Sequence, residues 1–324
     1  MPTLETNYLG LKLKNPVIVG ASPLTLSAEK VKACENAGAA AVVVKSLFEE
    51  QIRQETADLE QSLAQESGWH TEVFDYMEAQ IGMRYGTREY LQIIKDCKQQ
   101  TDIPVIASIN CISPEWWQDF AGETAAAGAD ALELNIAIMP LDFSRTADDI
   151  EAEVGEIVKN AKQAVDIPVA VKIGQQFTAL PHLVLNLAKA GADGFVLFNR
   201  FYRPTVDIDT MQLAVLDKYS SPAELAEPMR WTGILAERVP ADFAATSGVH
   251  TAEDAIRMLL VGANAVQMVS ALCINGLDHV NTVLTDMQTW MEQKQFESID
   301  QFRGSMSQAE NADSDLFGRL QYIR

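Results

Sequence analysis

The sequence predicts an α/β fold, a closed barrel of eight parallel strands alternating with helices, from three observations. Four times a Pro opens a short apolar run: Pro16 (PVIVGAS), Pro104 (PVIASIN), Pro168 (PVAVKIG) and Pro240 (PADFAATSG). Four times a Gly-Ala pair opens another: Gly38 (GAAAVVVKS), Gly128 (GADALELN), Gly191 (GADGFVLFN) and Gly262 (GANAVQMVS). The two kinds alternate strictly, with 22, 24, 23 and 22 residues from each Pro to the following Gly. That spacing holds one strand, one helix and two tight connections. Eight strands so separated make a (β/α)8 TIM barrel, predicted here as one domain over 1–324.

Each element follows in order. The apolar runs are short, rich in Val, Ile and Ala, and continuous rather than alternating, as parallel strands buried on both faces require. Helices are expected at Ser27–Asn36, Pro114–Ala127, Ala147–Val165, Leu180–Ala190, Ala223–Glu237 and Thr251–Val261. Several run into Gly just before the next strand, where a helix favours a left-handed residue. Thr251, followed by Glu253 and Asp254, reads as an N-cap with acids in the first turn. The connection after strand 2 is longer than the rest, and its excess is the polar stretch 49–86. An extended loop/helix insertion on that side of a barrel reads as a lid over the site; a plain surface helix over Glu49–Gln65 is the other reading. Residues 296–324 form a C-terminal extension.

Composition limits the function classes. The chain has 25 basic and 45 acidic residues, a formal charge of −20, with no Lys- or Arg-rich run. Duplex nucleic acid needs a positive footprint and is not an expected partner. Cys34, Cys97, Cys111 and Cys273 lie far apart, which points to reduced thiols in a cytoplasmic setting. The N-terminus has no signal-peptide pattern, and no apolar stretch approaches the ~20 residues that span a bilayer.

Chemistry in such barrels sits at the C-terminal strand ends. Those ends read Ser22, Lys45 with Ser46, Asn110, Asn135, Lys172, Asn199, Ser247 and Ser270. Hydroxyls, amides and ammonium groups suit a polar planar ligand and developing negative charge, and no metal is expected. In strand 4, Glu133 shares a face with Asn135; in strand 5, Lys172 shares one with Ala170. Both polar sets are expected inside the barrel. Lys172 has two readings, a structural ion pair with Glu133 or charge supplied to a ligand. Ser247-Gly248-Val249 and Val269-Ser270 end strands 7 and 8, where backbone amides commonly bind phosphate.

At these residues the chain resembles the class 1 dihydroorotate dehydrogenase family, FMN-dependent barrels of pyrimidine synthesis. The resemblance spans YLGLKLKNPVIVGAS, AVVVKS, SIN, ELN, VKI, FN and SGVHTAEDAIRMLLVGANAVQ. It implies FMN at the top of the barrel, held by Ala21, Ser22, Lys45, Ser46, Asn110, Asn135, Lys172, Asn199, Ser247, Gly248, Val249, Val269 and Ser270. Catalytic roles are expected of Lys45, Asn135 and Asn199. It also implies a homodimer, leaving the electron acceptor or partner subunit open. Two departures stand out. The family's Cys or Ser base, in a stretch like NxSCPN, is replaced by Asn135-Ile-Ala-Ile-Met-Pro140, and the Asn-rich loop after strand 2 has no match. Cys111, beside Asn110, is the substitute base or else an apolar filler. Arg200 and Arg203 either grip an anionic substrate or face solvent. Other readings are another small planar or anionic substrate, a flavin-free lyase using Lys172 or Lys45 as a Schiff-base amine, and a non-catalytic flavin-binding subunit.

Overall fold

Proline and glycine punctuate the barrel for different physical reasons. A proline has no N–H to give a ladder, so it belongs at the first position of a strand. Its carbonyl remains usable: Pro16, Pro104 and Pro168 accept from Val266, Val42 and Leu132 of a neighbouring strand at 2.8, 3.2 and 2.9 Å. The four Gly of the Gly-Ala pairs all have positive φ, between 99° and 113°, where a Cβ is strained. They turn the chain from helix into strand.

In this computed structural model, which describes residues 1–48, 87–110, 114–201, 203–310 and 317–318, the expected strands appear in place. They are Val17–Val19, Ala41–Val43, Val105–Asn110, Ala131–Asn135, Val169–Ile173, Gly194–Leu197, Asp242–Thr246 and Ala265–Met268. Neighbours pair in parallel round the ring. Closure comes where Val42 and Val43 meet Val105 and Ile106. A two-residue strand, Leu47–Phe48, extends the second run beside Ile109 and Asn110.

A repeated side-chain contact stitches each Pro strand to the next Gly strand. Asp130 accepts from Val105 N at 2.7 Å, Asp193 from Val169 N at 2.8 Å, and Asn264 from Phe243 N at 2.9 Å. Asn15 does the equivalent work in the first pair, accepting from Val17 N and donating to Gly38 O. Each contact gives a backbone N–H at the start of a strand a side-chain acceptor. The barrel is built as four such two-strand units.

The helices lie at Ala28–Asn36, 87–100, Pro114–Ala126, Ala147–Ala164, Leu180–Ala190, Ala226–Leu235 and Ala252–Leu260, with a 3-10 turn Pro222–Leu225 heading the sixth. Helix 87–100 was not anticipated, and neither were the following elements. An N-terminal hairpin, Thr6–Tyr8 with Leu11–Leu13, packs Tyr8, Leu9 and Leu13 among the inward residues Ile18, Ala170, Val196 and Ala244. Leu9 N donates to Asp242 at 2.6 Å, so the hairpin stoppers the N-terminal end of the barrel. A ribbon, Pro204–Asp207 with Gln212–Val215, follows strand 6. Helices Ser270–Asn275 and His279–Lys294 follow strand 8. The proposed lid 49–86, with its alternative surface helix, lies outside the described residues. In the C-terminal extension, Phe296 and Phe302 pack on Trp290, and Gly304 N and Met306 N donate to Leu259 and Leu260 carbonyls.

Candidate active site

With the hairpin closing one end, the other end opens into a cavity of about 520 Å³ at the C-terminal strand ends. That lies in the ordinary range for small-molecule sites. Its wall includes Ala21, Ser22, Lys45, Ser46, Asn135, Lys172, Asn199, Arg200, Ser247, Gly248, Val249, Val269 and Ser270. Of the other expected residues, Asn110 is buried beside Phe48 and Arg203 lies further out; neither lines the cavity. Cys111 lies outside the described residues.

Charge on the wall is one-sided. Among the described residues Lys45, Lys172, Arg200 and Lys218 line it and no Asp or Glu does, in a chain with 45 acidic residues. Lys45 Nζ stands 5.6 Å from the centroid of the Phe48 ring, a contact a cation makes without giving up its charge. The Lys172 side chain is only 12% exposed. It ion-pairs with Glu133 at 3.5 Å and donates to Gln267 Oε1 at 3.3 Å. Both readings of Lys172 therefore meet in one side chain, paired below and facing a cavity above.

The amides and hydroxyls form a linked set. Ser46 and Ser108 share a hydrogen bond at 2.8 Å, and Asn135 Nδ2 donates to Ser46 at 3.4 Å. The Tyr90 hydroxyl fixes Ser108 by donating to its carbonyl and accepting from its N–H. Asn135 Oδ1 is buried with no hydrogen-bond partner among the described residues. A buried acceptor without a donor is costly unless a ligand meets it. Asn199 Nδ2 donates to the carbonyls of Ile136 and Lys172, pinning the ends of strands 4 and 5.

At the far end of the cavity, Ser247 and Gly248 both have positive φ (73° and 81°), which turns the chain sharply after strand 7. A Cβ at Gly248 would fall 2.3 Å from Leu225 N, so only glycine fits. Helix Ala252–Leu260 then starts on a capping box between Thr251 and Asp254. His250 N also donates to Asp254, which makes His250 a helix-entry residue. Burial lowers its pKa, with His279 acting the same way and Asp254 opposing.

Sequence reasoning missed the strap Asp217–Ser221. Arg200 builds it: its guanidinium bonds Glu224 at 2.8 Å and the carbonyls of Tyr219, Asp217 and Lys218 at 3.0, 3.1 and 3.4 Å. Arg203 meets the same Glu224 at 3.3 Å. Burial alone would raise the Glu224 carboxyl, but Arg200, the Ser221 N–H and Arg203 bring it below the usual range. The two arginines thus answer to a carboxylate of the chain itself. The strap brings Lys218, Tyr219 and Ser220 onto the wall, and no local motif signals it. Gln267 was also missed, although one polar residue inside AVQM was a signal in plain view. Pro23, Phe48, Phe198, Thr246 and Cys273 complete the missed wall. Burial raises the Cys273 thiol, with Lys218 opposing.

The arrangement suits a planar, hydrogen-bonding ligand with anionic groups. Among the described residues no cluster of three or more His, Cys, Asp or Glu could hold a metal.

No family model matches the chain. Curated relatives do, over nearly its whole length. The dihydroorotate dehydrogenase B (NAD(+)) catalytic subunit of Pyrococcus abyssi is 26% identical over 306 residues, covering 93% of this chain and 98% of that protein. The like-named subunit of Thermoplasma acidophilum is 26% identical over 315 residues, covering 94% and 99%. That of Pyrococcus furiosus is 24% identical over 307 residues, covering 93% and 98%.

Proposed function

The chain is a divergent relative of the class 1 dihydroorotate dehydrogenases, and on that premise we propose that it is an FMN-dependent oxidoreductase converting dihydroorotate to orotate. The observation that supports this most is the cavity at the strand ends, whose wall among the described residues carries four cations and no carboxylate. FMN would supply acceptance of two electrons from a carbon–hydrogen bond, a task no side chain here performs.

The residues present fit that group. Lys172 would face the edge of the ring system where reduction leaves negative charge. Asn135, with its unpartnered buried acceptor, would receive a ring N–H. Asn199 would hold the strand 4 and 5 ends in register, and Lys45 would offer a second ammonium on the wall. Ser247, Gly248, Val249, Val269 and Ser270 would take the phosphate, with Ala21 and Ser22 beside the ring and Ser46 and Asn110 supporting from the strand ends. Lys45, Asn135 and Asn199 would touch substrate.

One observation favours a second reading. The stretch Asn135–Pro140 has no ionisable side chain, and removing a carbon-bound proton calls for a positioned base. Cys111 is the proposed substitute. If it does not act, the same site serves another small planar or anionic substrate.

The relatives' names make them catalytic subunits, which supports a partner subunit here too. The ribbon exposes Val206, Ile208, Met211, Leu213 and Val215. An isolated two-stranded ribbon is marginal in water, and a second copy would cover its apolar face. Free thiols at Cys34, Cys97 and Cys273, and no helix among the described residues long and apolar enough to cross a membrane, support a cytoplasmic location. Purified protein tests the reading directly: it should be yellow, and its colour should bleach anaerobically with dihydroorotate. Colourless protein refutes it.

A further inference from the structure

Glu133 lies beneath the cavity and is only 1% exposed, yet it lines no part of the wall. It sits on the inward face of strand 4. Gln267, on strand 8 across the barrel, donates from Nε2 to Glu133 Oε2 at 2.6 Å. The same amide accepts from Lys172 Nζ at 3.3 Å through its oxygen. Lys172 Nζ lies 3.5 Å from Glu133 Oε1, which accepts no hydrogen bond among the described residues. The pairing is thus Coulombic, at the edge of contact, and the amide between the two charges is oriented by both.

Fold stability does not call for this triad. A buried ion pair is roughly matched by apolar residues of similar volume, and Ala170 and Ala244 fill the same inner layer without polar atoms. What the triad does is electrostatic. It holds an ammonium at the cavity floor while partly offsetting that charge from below. Coulomb attraction falls only slowly with distance in such a dry interior, so the Glu133 charge reaches the cavity as well.

We propose that Glu133 and Gln267 are positioning residues that set how much of the Lys172 charge reaches the bound flavin, and so set its reduction potential. The inference rests on the functional reading above. A reduced anionic flavin has one more negative charge than the oxidised form, so it gains more from Lys172 and loses more from Glu133. Glu133→Gln keeps the amide contacts and removes the opposing charge, which favours the reduced form. Gln267→Met keeps length and packing but leaves Lys172 as the carboxylate's remaining partner. The ammonium is then drawn down and the oxidised form is favoured.

The test is the midpoint potential of the flavin in wild type and both variants, measured by anaerobic equilibration with reference dyes. Glu133→Gln is expected to raise the ratio of reduced to oxidised flavin affinity about tenfold, a rise of about 30 mV for a two-electron couple. Gln267→Met should shift it the opposite way, and it keeps the test available if Glu133→Gln does not fold. Unmoved potentials in flavin-loaded variants, or a fall in Glu133→Gln, overturn this inference while leaving the flavin assignment standing. A wild type that binds no flavin overturns both.

Discussion

The backbone N–H of Ser220 donates to the Ser270 hydroxyl at 3.0 Å, tying the connection after strand 6 to the end of strand 8. The Ser220 hydroxyl meanwhile meets His250 at 3.1 Å and accepts from Gly248 N at 3.4 Å. One residue of the strap thus touches every loop at the proposed phosphate end. Its position depends on the latch between Arg200 and Glu224.

Glu224→Ala removes that latch. It leaves the Arg200 and Arg203 guanidiniums without their carboxylate and should cost about 1.5–3 kcal/mol, the usual range for hydrogen bonds to charged groups. Flavin should be lost on gel filtration before the barrel unfolds. Chemical denaturation followed by tryptophan fluorescence, alongside flavin content, measures both. The folded-state carboxyl lies below the ordinary glutamate range. Its contribution is therefore present above the unfolded value and fades as pH falls through the folded one.

Gly248→Ala places a methyl group against the Leu225 backbone at a φ of 81°. Backbone cannot move aside as a flexible side chain would. The left-handed conformation alone costs roughly 1–3 kcal/mol for a non-glycine residue. Weaker flavin retention and a lower thermal midpoint are expected together. Gly276→Ala is the control: its φ is also positive, but no atom lies within 4 Å of the added methyl.

Burial lowers His250, so the unfolded chain takes up its proton at a higher pH than the folded one. Stability contributed here is present above the unfolded value near 6.5 and falls as pH drops from there toward the folded value. The groups facing His250 are Ser220, Asp254, His279 and Glu224. Thermal midpoints between pH 7.5 and pH 5.5 should decline in wild type, and His250→Gln should flatten that slope (ranges set by the ~6.5 reference).

Leu213→Glu puts a charge in the middle of the ribbon's apolar face, beside its cross-strand partner Val206. Analytical ultracentrifugation should show a dimer in wild type and a monomer in the variant, with the far-ultraviolet spectrum unchanged.

Much of the fold was legible because it repeats. A proline opening a strand and a left-handed glycine closing a helix are local requirements, so their spacing alone located eight strands. The Asx contacts at Asp130, Asp193 and Asn264 were in the sequence as GAD, GAD and GAN, but their meaning needed the neighbouring strand. Side-chain parity placed Glu133 and Lys172 inside the barrel. The same argument applied to strand 8 would have added Gln267. The strap was beyond reach: Lys218, Tyr219 and Ser220 come to the wall because Arg200 grips carbonyls 17–19 residues further along the chain. The ribbon's strands are only four residues long, too short to rise above loop sequence.

Anaerobic mixing of the purified protein with dihydroorotate tests the central claim most directly, with the visible flavin absorption followed over time. The protein should arrive with bound FMN, and that absorption should bleach as orotate forms. A protein that arrives without flavin, or whose flavin stays oxidised in excess dihydroorotate, would contradict the account.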